Sequence, residues 1–326
     1  MKNILVTGGA GFIGSHLVEK LVKIKKYKVT VIDNLSTGHM ENIKPFLKKI
    51  KFIKGDISKS NISKYFKNID IVFHLAALAD IVPSINSPIS YFDSNVRGTL
   101  NVLEASVKNK IKKLIYTASS SCYGIPNNYP TKENEKIDTK YPYALTKKIG
   151  EDLIIHWGKV YKLNVTSLRL FNIYGTRSKT SGTYGAMFGT FLKQKLKNYP
   201  YTVVGNGKQT RDFTYVTDVV SAMIKTINYK KNLQIFNVGS GKAISINKIC
   251  SLLGGKTQFL PARPGEPAIT FANIDKIKKE LKWKPKISIE VGIKKLLKNI
   301  GYWNKAPLWT KKKISIATKD WFKYLG

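Results

Sequence analysis

Short apolar runs alternate with amphipathic stretches through the first half of the chain. Residues 2–7, Lys-Asn-Ile-Leu-Val-Thr, read as a short buried strand. A glycine-rich turn follows, and residues 12–24 carry helical spacing. The same pattern predicts strands at 28–33, 51–54, 69–74, 113–118 and 164–170, separated by helical stretches near 41–49, 59–67, 84–108 and 142–162. Strand and helix alternating in this way imply a parallel sheet covered on both faces, with right-handed crossovers. Beyond Phe171 the pattern breaks up. Gly and Thr become frequent through 175–190, while 213–226 and 234–239 read as returns to the sheet. The expected organisation is a main unit over 1–172 with the returns near 213–239. A smaller mixed α/β lobe is expected over 173–212 and 240–326.

Composition narrows the functional classes. The 326 residues suffice for one large or two modest domains, and 43% hydrophobic content is ordinary for a folded domain. No apolar run approaches the roughly 20 residues that span a bilayer, so no membrane association is expected. The strand and glycine turn that directly follow Lys2 do not resemble a signal peptide. Cys122 and Cys250 are far apart and lack nearby His partners, which argues against a disulfide framework or metal site and fits a reducing cytoplasm. The formal charge of +36 raises the question of nucleic acid. Lysine dominates, spread over helical stretches, whereas base readout and stacking favour arginine and exposed aromatics. No specific nucleic-acid partner is expected.

The first turn carries candidate chemistry. Gly8, Gly11 and Gly14 follow a strand and open a helix, which is the context of a dinucleotide-binding, Rossmann-like turn. Gly8 allows the tight turn, Gly11 lets a pyrophosphate approach, and Gly14 seats the helix on the strand. Phe12 and Ile13 then present free N–H groups at the positive helix N-terminus. Asp33, with Asn34 after it, ends the second strand about 20 residues on, where a carboxylate binds ribose hydroxyls and repels a 2′-phosphate. NAD is therefore expected over NADP. Asp56-Ile57 either flanks the adenine or caps a helix over 58–67. Leu75, Ala76 and Ala77 let the backbone run beside a cofactor, and His74 reads as a buried structural histidine.

Tyr143 and Lys147 lie four apart on a predicted helix and share a face. A phenol titrates near 10 and needs a nearby cation to serve as a base at neutral pH. Lys147 and an oxidised nicotinamide would supply it. Ser119 ends the fifth strand, which meets the switch-point crevice of such a sheet. Together with the glycine turn, this constellation indicates a nicotinamide enzyme acting on an alcohol.

The landmarks at Thr7 to Gly14, Asp33 to Ser36, Ser119 to Gly124, Tyr143 to Lys147, Leu168 to Gly175, Gln209 to Phe213 and Arg263 to Glu266 span nearly the whole chain. As a set they resemble the extended short-chain dehydrogenase/reductase family, in its nucleotide-sugar epimerase and dehydratase branch. The resemblance implies that Ser119, Tyr143 and Lys147 are catalytic and that Ser119, with Ser120, borders the sugar. It further implies that Asn172, Arg211 and Arg263 hold the diphosphate and nucleotide, that Glu266 contacts the ribose, and that Thr270 borders the sugar's C2 substituent. Similar 4,6-dehydratases carry a carboxyl group where this chain has Ser119-Ser120-Ser121, whereas 4-epimerases resemble the triplet. Cys122 is out of register with the catalytic cysteine of 3,5-epimerases and reads as packing. The segment 79–84 lacks the basic residues that related epimerases often place there.

The implied activity is NAD-dependent 4-epimerisation of a nucleoside-diphosphate hexose, UDP-glucose/UDP-galactose or the N-acetylated pair, through a 4-keto sugar, in a homodimer. The alternatives are another nucleotide-sugar enzyme, such as a dehydratase or dehydrogenase, or a non-catalytic NAD- or RNA-binding member of the fold. The tail from Tyr302 to Leu325, with Trp303, Trp309 and Trp321, is expected only to pack on the lobe.

Overall fold

A computed structural model describes residues 1–59, 61–178, 184 and 187–326. Its centre is a seven-stranded sheet. Six strands are β1 (Lys2–Thr7), β2 (Tyr27–Asp33), β3 (Ile50–Lys54), β4 (Ile71–His74), β5 (Lys113–Ser119) and β6 (Val165–Leu170), and Gln234–Val238 adds the seventh. The spatial order is Gln234–Val238, β6, β5, β4, β1, β2, β3. Every pairing is parallel. Such strands are buried on both faces, which is why β5 and β6 read as unbroken buried runs. Two apolar clusters lie against the sheet. One joins Val6, Leu17, Leu21 and Phe73, and the other joins Leu5, Phe66, Leu114 and Ile154. The strand order reverses between β1 and β4, so their C-terminal ends open a crevice.

The α/β doubly wound class is the one expected, but several elements differ. Residues 214–215 pair only with Ile173–Tyr174, and the chain then forms the helix Val216–Thr226. That helix packs Val219 and Met223 into the cluster with Leu17 and Leu21, so 213–226 returns to the main unit as a covering helix and not as a strand. The helix expected over 59–67 is a single 3₁₀ turn, Ser63–Phe66, in its described part; Ser60 lies outside the described residues. The stretch 84–108 begins earlier, at Ile81, and breaks at Ser87 before Pro88. Steric conflict with the proline ring pushes the preceding residue out of the helical region, and Ser87 has ψ 54°.

A further apolar cluster gathers Tyr174, Phe191, Tyr201, Phe213, Ile249 and Trp303 from the second half of the chain. Around it lie the parallel pair Tyr201–Val204 with Thr257–Leu260 and the helices Met187–Leu196, Ile246–Leu253 and Ile289–Lys298. The Gly/Thr-rich stretch noted at 175–190 falls partly on residues 179–183 and 185–186, outside the described residues. A small fourth cluster joins Val82, Tyr141, Ala144 and Tyr184 to Ile314 and Trp321 from the chain's last two helices. Among the described residues, no helix is long and apolar enough to cross a membrane.

Candidate active site

A cavity of about 590 Å³ runs from the crevice at the ends of β1 and β4 to the loop at 263–270. Every candidate residue named from sequence lines it, from Gly8 to Thr270. Three groups of side chains meet there.

At the β1 end, Gly8 has φ +72°, and a Cβ added to it would fall 2.7 Å from the Ala76 nitrogen. A Cβ on Gly14 would stand 2.1 Å from the Gly8 carbonyl oxygen. Both contacts are with backbone, so neither position admits a side chain without moving the turn. The Asp33 carboxylate accepts from the Ala10 N–H at 2.9 Å and the Leu35 N–H at 2.8 Å. Burial raises its pKa in spite of these bonds. Thr7 completes this wall. Its Oγ1 accepts from the backbone N–H of Leu75 and Ala76 at 3.2 and 3.3 Å, fixing the chain that closes over the turn. His74 contacts Thr7 Oγ1 through Nδ1 at 2.8 Å and Thr99 Oγ1 through Nε2 at 2.9 Å. With both ring nitrogens engaged and burial pushing its pKa down to about 3, His74 is a structural histidine, as expected. Asp56 lines the cavity without capping a helix. Its Oδ1 instead holds the Ser58 N–H and hydroxyl in a local turn.

The second group sits where β5 ends. Ser119 is the last strand residue, and the helix Pro142–Val160 carries Tyr143 and Lys147 on the face toward it. The Ser119 hydroxyl is close enough to hydrogen-bond the Tyr143 phenol. Lys147 Nζ stands 4.3 Å from the Tyr116 ring centroid, so its ammonium is held against an aromatic face. Burial dominates both titrations. It pushes Tyr143 up to about 12 against the Ser119 bond, and Lys147 down to about 7 against the Glu151 charge. Burial by the protein alone thus raises the phenol's pKa, before the charge of any nicotinamide is added. Cys122 is 2% exposed and burial pushes its thiol up to about 12, so it packs.

The third group is polar and drawn from distant sequence. Glu266 lies between two arginines: Oε1 accepts from Arg211 Nη2 at 2.8 Å, and Oε2 lies 3.7 Å from Arg263 Nη1. Arg263 also donates to the Tyr184 hydroxyl at 2.7 Å. Asn172, at φ +32°, accepts from Thr270 Oγ1 at 2.7 Å. Thr270 Oγ1 in turn accepts from the Asp212 N–H at 3.1 Å. Its one hydroxyl proton is thus committed to Asn172. Thr270 lies outside any strand.

Sequence reasoning missed Tyr141, Tyr184 and Trp321, all of which line the cavity. Tyr184 and Trp321 come from segments with no pattern of their own that points to a site. Tyr141 sits two residues before Tyr143, and that adjacency was the available signal. The tail does more than pack on the lobe, because Trp321 reaches the cavity while Trp303 stays in the apolar core.

A family profile described as "NAD dependent epimerase/dehydratase family" matches residues 4–239. The chain is 37% identical over 303 residues to a putative UDP-glucose 4-epimerase of Methanocaldococcus jannaschii, with 90% of this chain and 97% of that one covered. It resembles the solved UDP-N-acetylglucosamine 4-epimerase from Methanobrevibacter ruminantium in complex with UDP-N-acetylmuramic acid, with TM-score 0.85 and 34% identity, covering 91% of this chain and 99% of the other. It also resembles UDP-glucuronic acid 4-epimerase from Bacillus cereus in complex with UDP-glucuronic acid and NAD, with TM-score 0.85 and 33% identity, covering 92% and 99%.

Proposed function

The chain belongs to the NAD dependent epimerase/dehydratase family, and on that premise we propose that it interconverts the C4 epimers of a UDP-linked hexose with NAD as resident cofactor. The observation that carries the proposal is one cavity holding a glycine cradle, the Ser119–Tyr143–Lys147 constellation and the Arg211–Glu266–Arg263 cluster. The cradle fits a dinucleotide. Gly8 and Gly14 keep the turn bare of side chains where a pyrophosphate meets the helix N-terminus, and Asp33 presents a pre-held carboxylate for a ribose. Asn34, Asp56 and Ile57, and Leu75, Ala76 and Ala77, line the same cavity, and we assign the first three to the adenine.

NAD bound there supplies a reversible hydride acceptor for C4 of the sugar. The protein's own residues do the rest. Tyr143 takes the proton of the C4 hydroxyl as the carbonyl forms and returns it when the hydroxyl is restored. Ser119 hydrogen-bonds the same oxygen and holds the phenol toward it. Lys147 stabilises the phenolate and binds the nicotinamide ribose. Arg211, Arg263 and Asn172 grip the diphosphate, for which planar guanidinium forks are well shaped. Glu266 lies between the arginines in the meantime, which keeps two cations from facing each other unpaired, and it meets the nucleotide ribose. Ser120 borders the sugar. The absence of a carboxyl group at 119–121 disfavours water elimination and so disfavours a dehydratase. Incubation with a panel of UDP-, dTDP-, GDP- and CDP-sugars, with products read by NMR, tests the proposal. C4 epimers of a UDP-hexose are expected, and a 4-keto-6-deoxy product would overturn it.

The assembly we propose is a homodimer through the helices Gly98–Lys108 and Pro142–Val160 and the turns before them. On these elements Leu103, Ile154 and Val96 are buried within the chain itself. Leu100, Ile149 and Leu153 are half-buried, and Ile89, Phe92 and Leu145 are exposed. These six make the apolar surface that a second copy would cover. Light scattering should give twice the chain mass, and a monomeric mass at assay concentration would refute the dimer.

A further inference from the structure

Trp321 lies on the last helix, Lys319–Leu325, more than fifty residues from the loop it meets. Its ring is 2% exposed, yet it lines the cavity. It touches that loop in two ways. The indole Nε1–H donates to the Pro264 carbonyl at 2.9 Å, and the ring lies 5.8 Å from the Arg263 guanidinium. Arg263 is clasped on another side by Tyr184, whose ring centroid is 5.0 Å away and whose hydroxyl accepts from Nη2. The indole also packs against Tyr141, with ring centroids 5.7 Å apart at 44°. Tyr141 immediately precedes the helix that carries Tyr143, and its hydroxyl is placed to hydrogen-bond Ser121. The helix is itself anchored, since Asp320 accepts from Asn86 Nδ2 at 3.0 Å.

We propose that Trp321 is a positioning residue for nucleotide-sugar binding: it fixes the Arg263–Glu266 loop and the Arg263 guanidinium against the segment that leads into the catalytic helix. The inference rests on the proposed function for its ligand class, a nucleoside diphosphate carrying a sugar. The physical argument is preorganisation. An arginine on a loop has many rotamers, and each one frozen before binding is an entropic cost removed from the binding step. The indole and the phenol ring pack near the guanidinium, and the Tyr184 hydroxyl accepts from its Nη2, so the arginine's rotamers are restricted before a ligand arrives. The Nε1–H bond to Pro264 holds the main chain of the same loop.

The test uses the full-length chain and titrates UDP, which needs no turnover to be read. Trp321→Leu removes both contacts and is expected to weaken UDP binding about tenfold, the effect of losing a desolvated cation–π contact and a hydrogen bond. Trp321→Phe keeps a ring and loses only the donor to Pro264, so a loss of about threefold is expected. The KM for the sugar substrate should rise in step while kcat changes less than about threefold, and the affinity for NAD should stay at the wild-type value. Trp303→Phe, in the apolar core away from the cavity, controls for general destabilisation. It should lower the melting temperature without changing UDP affinity.

The outcomes separate the two proposals. Tight UDP binding by the wild type that depends on Trp321, without turnover of any sugar, would uphold the positioning role and reject the epimerase. Turnover with UDP binding unchanged in Trp321→Leu would do the reverse. Loss of NAD and UDP affinity together, in proportion to melting temperature, would overturn the positioning role. A wild-type chain that binds no nucleoside diphosphate would overturn both.

Discussion

The β1–β4 side of the cavity is shaped by main chain, whereas the side holding Arg211, Glu266 and Arg263 is shaped by side chains drawn from separated stretches of sequence. On the first side the determining contacts are a glycine position with no room for a Cβ, two N–H groups on Asp33 and a threonine that holds two backbone amides. Thr7, Gly8, Ala10 and Asp33 come from β1, its turn and the end of β2, Leu35 lies just beyond β2, and the Leu75 and Ala76 amides follow β4. On the second side Arg211 meets Glu266 across 55 positions, Arg263 meets Tyr184 across 79, and Trp321 reaches back to Pro264 across 57. A backbone-built subsite tolerates little change and suits a cofactor common to a whole family. A side-chain-built subsite can change one residue at a time and suits a substrate that differs among members. Tyr143 and Lys147 stand at the seam and must serve both.

The sharpest way to test the seam is Tyr143→Phe. The substitution removes the proton acceptor and keeps the ring that packs edge-on to Tyr91. Turnover is expected to fall by roughly 10²–10⁴, the usual contribution of a general base. UDP and NAD titrations should be unchanged. Activity above about half the wild type would assign the proton to another group.

On the side-chain-built half, Thr270→Tyr is expected to act by size alone. The native hydroxyl has given its proton to Asn172 and accepts from the Asp212 amide, so on the proposed placement beside the sugar its small volume is what should matter. Filling that space should lower turnover of UDP-GlcNAc relative to UDP-glucose by about 10–200-fold. An unchanged ratio, or native protein that ignores UDP-GlcNAc, would sink the size argument. On the backbone-built half, Asp33→Ala should cost NAD affinity about tenfold or more, as expected for a charged hydrogen-bond partner, and should relax the preference over NADP. Wild-type protein that binds NADP as tightly as NAD would remove the basis of that comparison.

The same division explains what could be read before any coordinates. The sheet strands were legible because each is a short buried run between turns, and the cofactor residues because a glycine turn after a strand has few other uses. The juxtaposition of Tyr143 and Lys147 with Ser119 was legible as an i, i+4 spacing once the end of β5 was placed. Where local pattern and tertiary packing compete, the pattern failed. Residues 213–226 are apolar enough for a strand but pack as a helix on the first helix, and Pro88 breaks a stretch whose periodicity runs straight through it. Arg211, Arg263 and Glu266 were found through family resemblance, since nothing in their local sequence distinguishes them from surface charges. Tyr184 and Trp321 had neither local pattern nor landmark. Only the folded chain brings them to Arg263.

The smallest predicted effect lies in the pH profile, and it tests how the seam is charged. The proposed mechanism needs Tyr143 as phenolate and Lys147 as ammonium, a state with one proton fewer than the fully protonated pair. The buried site loses its first proton near pH 7, where Lys147 titrates, and its second near 12, where Tyr143 does. Between these values the pair shares one proton, and the phenolate–ammonium arrangement is one of its two forms. Activity should therefore rise with pH through about 7 and then level off. At pH 6 it should lie about tenfold below the plateau, because one proton must be lost. The sign for stability follows from the same shift. Lys147 binds its proton more weakly folded than unfolded, so the unfolded chain holds more protons between about 7 and 10.5, and stability rises with pH across that window. Lys147→Arg separates the two titrations. Arginine stays charged, so the first proton must then come from Tyr143 itself, and the activity limb should move above pH 9. A limb that stays near 7 in that variant would show that Lys147 does not set it.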